Sequence, residues 1–141
     1  MNTTKHTINT VEQFYDANAT AFSKTRNFPW PSTSTFLHSL PSGSYVLDVG
    51  CGNGLNMFER NDIHMTGLEL STELCKVVQS RGGNVVHGSM THIPFPNQTF
   101  DVVMAIASYH HLSTDKERTQ AIREFHRVLR PNGVLYLHVW A

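Results

Sequence analysis

The run Tyr45-Val46-Leu47-Asp48-Val49, breaking at once into Gly50-Cys51-Gly52-Asn53-Gly54, constrains this chain more than any other stretch. Short, largely apolar and β-branched, the first part suits a strand buried on both faces, as parallel sheets require. Glycines at alternate positions then let the backbone turn and come close to a ligand. We expect the strand to open here into a short helix, whose N-terminus is electropositive. Glu69 follows Gly50 by 19 residues, at the expected end of a second strand. A carboxylate there can accept both hydroxyls of a ribose. Sites of this kind lie at the carboxyl ends of parallel strands. The spacing is GxGxG, not GxGxxG, and no GxxxxGK[ST] is present. A dinucleotide-dependent dehydrogenase and a P-loop enzyme are both demoted.

The remaining pattern alternates strands and helices. Val11, Phe14, Tyr15, Asn18 and Phe22 recur at helical spacing, and a second helix is expected from Pro31 or Ser32 through Leu40. Further strands are expected at 63–68, 84–87, 100–107 and 134–140. Ser71 can cap a helix carrying Leu74, Cys75, Val77 and Val78. Thr114-Asp115-Lys116-Glu117 fits a capping box before a stripe of Ala121, Ile122, Phe125, Val128 and Leu129. The prediction is an α/β fold with a Rossmann-like, mainly parallel, five-stranded sheet. It is a single domain over residues 1–141. Residues 1–43 form N-terminal helices and a substrate-side lid, and 44–141 form the ligand-binding core.

Charge and cysteine counts narrow the function classes. Eleven Lys and Arg balance eleven Asp and Glu, so the chain does not grip nucleic acid by bulk charge. Two cysteines cannot make a disulfide framework or a four-cysteine zinc site, and no HxxxH or CxxC spacing is present, so no metal is expected. The polar N-terminus lacks a signal-peptide core, and the longest apolar run, 102–107, is far below the ~20 residues that span a bilayer. No membrane association and a cytoplasmic location, with the nucleus as an alternative, are expected.

The segments 46–54 and Gly67-Leu68-Glu69-Leu70-Ser71 resemble the cofactor site of class I S-adenosylmethionine-dependent methyltransferases. Ile93-Pro94-Phe95, Phe100-Asp101 and the run 127–133 extend the resemblance over about 45–140. It implies that Asp48, Gly50, Cys51, Gly52, Gly54 and Ala107 border the cofactor, with the amides of Gly50 and Gly52 beside its methionine part. Glu69 would hold the ribose, Leu70 would pack on the adenine, and Ser89 and Met90 would read the adenine edge. That class often carries an acid at position 89, where serine can still accept a hydrogen bond.

A narrower resemblance covers the whole chain. Tyr15-Asp16, Phe22-Ser23-Lys24-Thr25-Arg26, Pro29-Trp30-Pro31, Ser108-Tyr109-His110-His111-Leu112-Ser113-Thr114 and Val139-Trp140-Ala141 carry it. They resemble the eukaryotic tRNA methyltransferases that esterify 5-carboxymethyluridine at the wobble position, including the methyltransferase part of the AlkB-like dual-domain protein. The resemblance implies the tRNA anticodon loop and a small zinc-binding activator subunit as partners. Its acceptor is a carboxylate, already an anion at neutral pH, so no general base is needed and placement dominates catalysis. Arg26 offers a planar fork for that carboxylate. His110 and His111 follow the fourth strand and are the other catalytic candidates, while Trp30 and Tyr109 can stack on the uracil.

Each candidate also has a plainer reading. Arg26 can be a surface residue or a ligand of the cofactor's carboxylate, and the histidines can support the fold. Trp30 can be a packing anchor between its prolines. Cys51 reads as a small apolar turn residue rather than a nucleophile. Lys116, Arg118, Arg123, Arg127 and Arg130 read as a solvated helix face that could also contact phosphates. Two rival functions stay open: a small-molecule methyltransferase, and a non-catalytic cofactor-binding remnant acting with a partner. Class I methyltransferases usually add a strand pair after the fifth strand. That pair is expected to be absent here, and the core is expected to be C-terminally truncated.

Overall fold

The structure, a computed structural model, describes Gln13, residues 29–106 and residues 108–139. Five strands form one sheet: β1 (Tyr45–Val49), β2 (His64–Glu69), β3 (Val85–His87), β4 (Phe100–Ile106) and β5 (Leu129–His138). Their order is β3-β2-β1-β4-β5, and every pairing is parallel. Chain order reverses between β1 and β4, the point at which open α/β sheets leave a crevice for a ligand.

Side chains alternate across the strands and divide the core into two layers. On one face Leu47, Val49, Val103 and Ala105 pack with Ala121, Phe125 and Val128 of helix α3 (Asp115–Val128). On the other, Val46, Val102 and Met104 pack with Leu37 of helix α1 (Pro31–His38). Helix α2 (Thr72–Ser80) seats Val78 against Cys51 and Met57. The part of the N-terminal segment that is described, α1, is therefore a layer on the sheet; the helix expected over 11–22 lies outside the described residues.

Both expected caps form. The Ser71 hydroxyl accepts from the Leu74 amide, and Thr114 Oγ1 accepts from the Glu117 amide. The Glu117 carboxylate accepts from the hydroxyls of Ser113 and Thr114. Ile122, expected on the buried stripe of α3, is 38% exposed. It stands one position off the Ala121–Phe125–Val128 line and turns away from the sheet.

Strand β5 begins five residues earlier than expected. Leu129 pairs with Phe100 but Val134 pairs with Val102, so Arg130–Gly133 loop out of the ladder as an irregularity. Pro131 has no amide to donate, and Asn132 adopts φ 65°, a turn conformation. The expected turn is present, carried inside the strand.

Candidate cofactor site at the carboxyl edge of the sheet

The loop after β1 does not open into an α-helix. It ends in one 3-10 turn, Leu55–Phe58. Gly50, Gly52 and Gly54 all take positive φ, at 67°, 59° and 80°. Gly50 has a second reason to be glycine: a Cβ there would lie 2.5 Å from the Ser108 Cβ at the end of β4.

The loop amides are spent within the fold. Gly50 and Cys51 both donate to the Leu68 carbonyl, at 2.7 and 3.2 Å, and Gly54 donates to the Cys51 carbonyl at 3.0 Å. The Gly52 amide donates to Glu69 Oε1 at 2.9 Å. This corrects the expectation of an electropositive α-helix end after the glycines, and it gives the Gly50 and Gly52 amides partners within the fold. The glycines supply close approach and conformation, and their N–H groups stitch the loop to β2. An anion cradle for phosphates is not formed by these amides.

Two buried carboxylates dominate the electrostatics. Glu69, 5% exposed, accepts from Gly52 and, through Oε2 at 2.7 Å, from the Ser71 amide. These bonds fix it at the end of β2, and a carboxylate has about four acceptor sites in all. Asp48 is 1% exposed, and its Oδ2 has no hydrogen-bond partner among the described residues. Burial, and then the neighbouring Glu69 charge, push its carboxyl up to about 7. Burial, together with Asp48 and Glu69, also holds the Cys51 thiol far from ionising, which fits its reading as an inert turn residue.

The other candidates gather at the same edge. Leu70 is half-buried directly after Glu69, and its carbonyl bonds the His87 ring at 2.8 Å. After β3, Ser89 and Thr91 share a hydroxyl–hydroxyl bond of 2.8 Å, and Thr91 reaches His92 Nδ1 at 3.2 Å. Met90 packs its side chain on the α3-side core. After β4, Tyr109–His111 form a 3-10 turn, and His111 is half-buried. Trp30 lies beside His138 at the end of β5, ring centroids 4.6 Å apart.

Tyr109 needs a correction. Its ring leans toward Phe125, its hydroxyl donates to the Arg118 carbonyl at 3.3 Å, and it packs on the core. It braces the 3-10 turn against α3 and does not stand out as a stacking platform. Arg26, Ala107 and the side chain of His110 lie outside the described residues. Ser108, not among the expected site residues, closes the site from the β4 side: it is buried, presses on Gly50 and donates to the Val49 carbonyl at 3.0 Å. Its place in the Ser-Tyr-His-His string was visible, but its contact with Gly50 depends on β1 and β4 being neighbours.

Amides turned inward, two buried carboxylates and an orphaned Asp48 oxygen suit a ribose-bearing ligand that carries positive charge, such as a sulfonium nucleoside. Among the described residues no cluster of His, Cys, Asp or Glu could hold a metal ion, and no helix is long and apolar enough to cross a membrane.

Residues 47–137 match the model of a family described as "Methyltransferase domain". The chain belongs to this family, with the class I fold, and its cofactor is S-adenosylmethionine. Over 131 residues, 93% of its length, it is 40% identical to tRNA (carboxymethyluridine(34)-5-O)-methyltransferases of Arabidopsis thaliana and Schizosaccharomyces pombe. It spans 32% and 57% of those proteins. The SAM-bound amino pentose methyltransferase CalS10 from Micromonospora echinaspora superposes with a TM-score of 0.72 at 27% identity, over 86% of this chain and 55% of that one. A putative methyltransferase complexed with the Haloferax volcanii Trm112 activator shares the fold, with a TM-score of 0.78 at 21% identity over 90% of this chain and 59% of that one.

Proposed function

We propose that the chain directs methyl transfer from S-adenosylmethionine to the carboxylate of 5-carboxymethyluridine at the tRNA wobble position. The observation that carries this reading is the 40% identity, over 93% of the chain, to two enzymes named for that reaction. The site is consistent with it. Glu69 is held by two backbone amides at the end of β2, which supports its proposed role toward the ribose, and Asp48 and Glu69 together favour a cationic ligand.

The cofactor supplies an activated methyl group. That methyl would go to the carboxylate oxygen, with Glu69 and the loop after β1 holding the cofactor. No proton moves, so the protein's task is alignment and exclusion of water. In this reading Arg26 pairs the acceptor carboxylate, and His110 or His111 donates to the acceptor or to a phosphate. Trp30, whose ring lies beside His138 at the end of β5, is the proposed stacking partner of the uracil in this reading. A small activator subunit is the proposed protein partner, supported by the activator complex of the Haloferax neighbour.

The test is a methylation assay on tRNA carrying 5-carboxymethyluridine, read by mass spectrometry of the released nucleoside, with and without an activator. Ester formation is expected. Glu69→Ala should abolish cofactor binding in calorimetry. Arg26→Ala should bind cofactor normally and lose at least tenfold in turnover. Turnover of a small carboxylic acid with indifference to tRNA would overturn the assignment.

A further inference from the structure

One surface is unexplained by the cofactor site. Lys116, Thr119, Arg123 and His126 are all exposed on α3 and fall at three- and four-residue steps, so they share one face. At 1.5 Å per residue the stripe runs ~15 Å from Lys116 to His126. The acids of α3 are occupied elsewhere. Asp115 pairs with Arg118 at 2.6 Å, Glu124 pairs with Arg127 at 2.8 Å, and buried Glu117 receives the Ser113 and Thr114 hydroxyls. Lys116, Arg123 and His126 have no partner among the described residues. In a chain of zero formal charge Lys116 and Arg123 are a local concentration of uncompensated positive charge.

Helix stability does not account for it. A cation near a helix C-terminus complements the macrodipole, but Lys116 stands in the first turn, where a cation is disfavoured. The position of α3 adds a direction. It begins beyond the 3-10 turn at the carboxyl end of β4 and ends where β5 starts, so the stripe leads from the cofactor edge to the opposite edge of the sheet.

At that far end it meets a cleft of about 650 Å³, lined in part by Asn97, Gln98, His126, Arg130 and Asn132. Gln98 and Asn132 are the two described non-glycine residues with positive φ, at 54° and 65°. Their side-chain amides have no partner among the described residues. Backbone held in this region costs energy and collects at functional places. Cations along the helix and amide donors and acceptors in the cleft suit phosphates and ribose hydroxyls.

We propose that the outer face of α3, with the cleft at its foot, is the track on which the tRNA backbone lies while its modified loop reaches the carboxyl edge of the sheet. The proposal rests on the tRNA reading above. It commits to RNA because the helix face offers the uncompensated cations Lys116 and Arg123 with no exposed, unpaired acid, and the cleft at its foot sets neutral polar groups beside the apolar Leu129 and Pro131.

The experiment measures tRNA affinity of the full chain against potassium chloride concentration, for the wild type, Lys116→Glu/Arg123→Glu and the conservative Lys116→Arg/Arg123→Lys. Loss of two phosphate contacts should flatten the slope of log K against log salt by about 1.4–1.8. At low salt the charge reversal should weaken binding at least tenfold, with cofactor affinity unchanged and the conservative variant close to wild type. On the wild type, tRNA should protect Lys116 from an amine-reactive label, a readout that needs no variant to fold. An unchanged slope and affinity, or no protection of Lys116 where tRNA does bind, overturns the track and leaves the tRNA reading standing. A wild type that neither binds nor methylates tRNA overturns both. Displacement of tRNA by polyglutamate at equal charge concentration overturns the commitment to RNA and points to an acidic protein.

Discussion

Asp48 sits where a strand residue meets a ligand site, and its energetics follow from that position. The folded carboxyl titrates near 7, while the unfolded one titrates near 3.8. Between those values the folded chain binds the extra proton, so this group makes stability fall as pH rises from about 4 to 7, with the full penalty above 7. Asp48→Asn should therefore raise the melting temperature markedly at pH 8 and less at pH 5. The gain is a few kcal/mol at most by the usual 1.36 kcal/mol per pKa unit. Equal shifts at both pH values in thermal unfolding would contradict this account. Gly50 makes the complementary case on steric grounds. Gly50→Ala would place a methyl group against Ser108 at positive φ, and should cost about 2 kcal/mol or more by urea denaturation. Ser108→Gly should recover part of that loss, which a purely conformational penalty would not allow.

At the scale of elements, arginines set the ends and loops that apolar periodicity leaves undefined. Arg60 donates to the carbonyls of Leu37 and Leu40, closing the C-terminal turn of α1, and pairs with Asp62. Arg127 does the same for the loop before β4. It donates to the Ile93 and Phe95 carbonyls while holding Glu124, whose Oε2 receives the Ile93 amide. Arg127→Ala would strand those carbonyls and should cost about 2 kcal/mol, read by urea denaturation. Arg127→Lys should restore little, because one ammonium cannot span both carbonyls and the carboxylate. Both arginines were visible in the sequence only as charges. The carbonyls they reach lie twenty or more residues away, so spacing could not reveal them.

At the scale of the molecule, β3 and β5 are the two edges of the sheet among the described residues. Among the described residues β5 is an edge strand, and Val134, Leu135, Leu137 and Val139 are each 37–47% exposed. Unpaired strand edges with apolar flanks template association. Val134→Lys/Leu137→Lys should lower self-association in light scattering with little change in cofactor affinity, since the site lies around β1, β2 and β4. If instead the wild type stays monomeric at high concentration, the edge is not a contact surface. The parallel order also explains why residues 48, 69 and 108 converge: each ends or follows a strand, and neighbouring parallel strands put those ends side by side.

The sequence by itself determined the alternation of strands and helices, both N-caps, the glycine turn and the acid at the end of β2. These are local properties: hydrophobic period, cap chemistry and backbone freedom act over a few residues. The tertiary structure alone decided how the turn is used. Glycine spacing suggested close approach of the backbone to a ligand, but only the pairing of β1 with β2 brings the Leu68 carbonyl and Glu69 within reach of the loop amides. It likewise decided that Tyr109 faces Phe125, that Ser108 presses on Gly50, and that Asp48 is buried beside a second carboxylate. A side chain's partner and its solvent exposure depend on which elements become neighbours, and that is settled only when the strands take their order in the sheet.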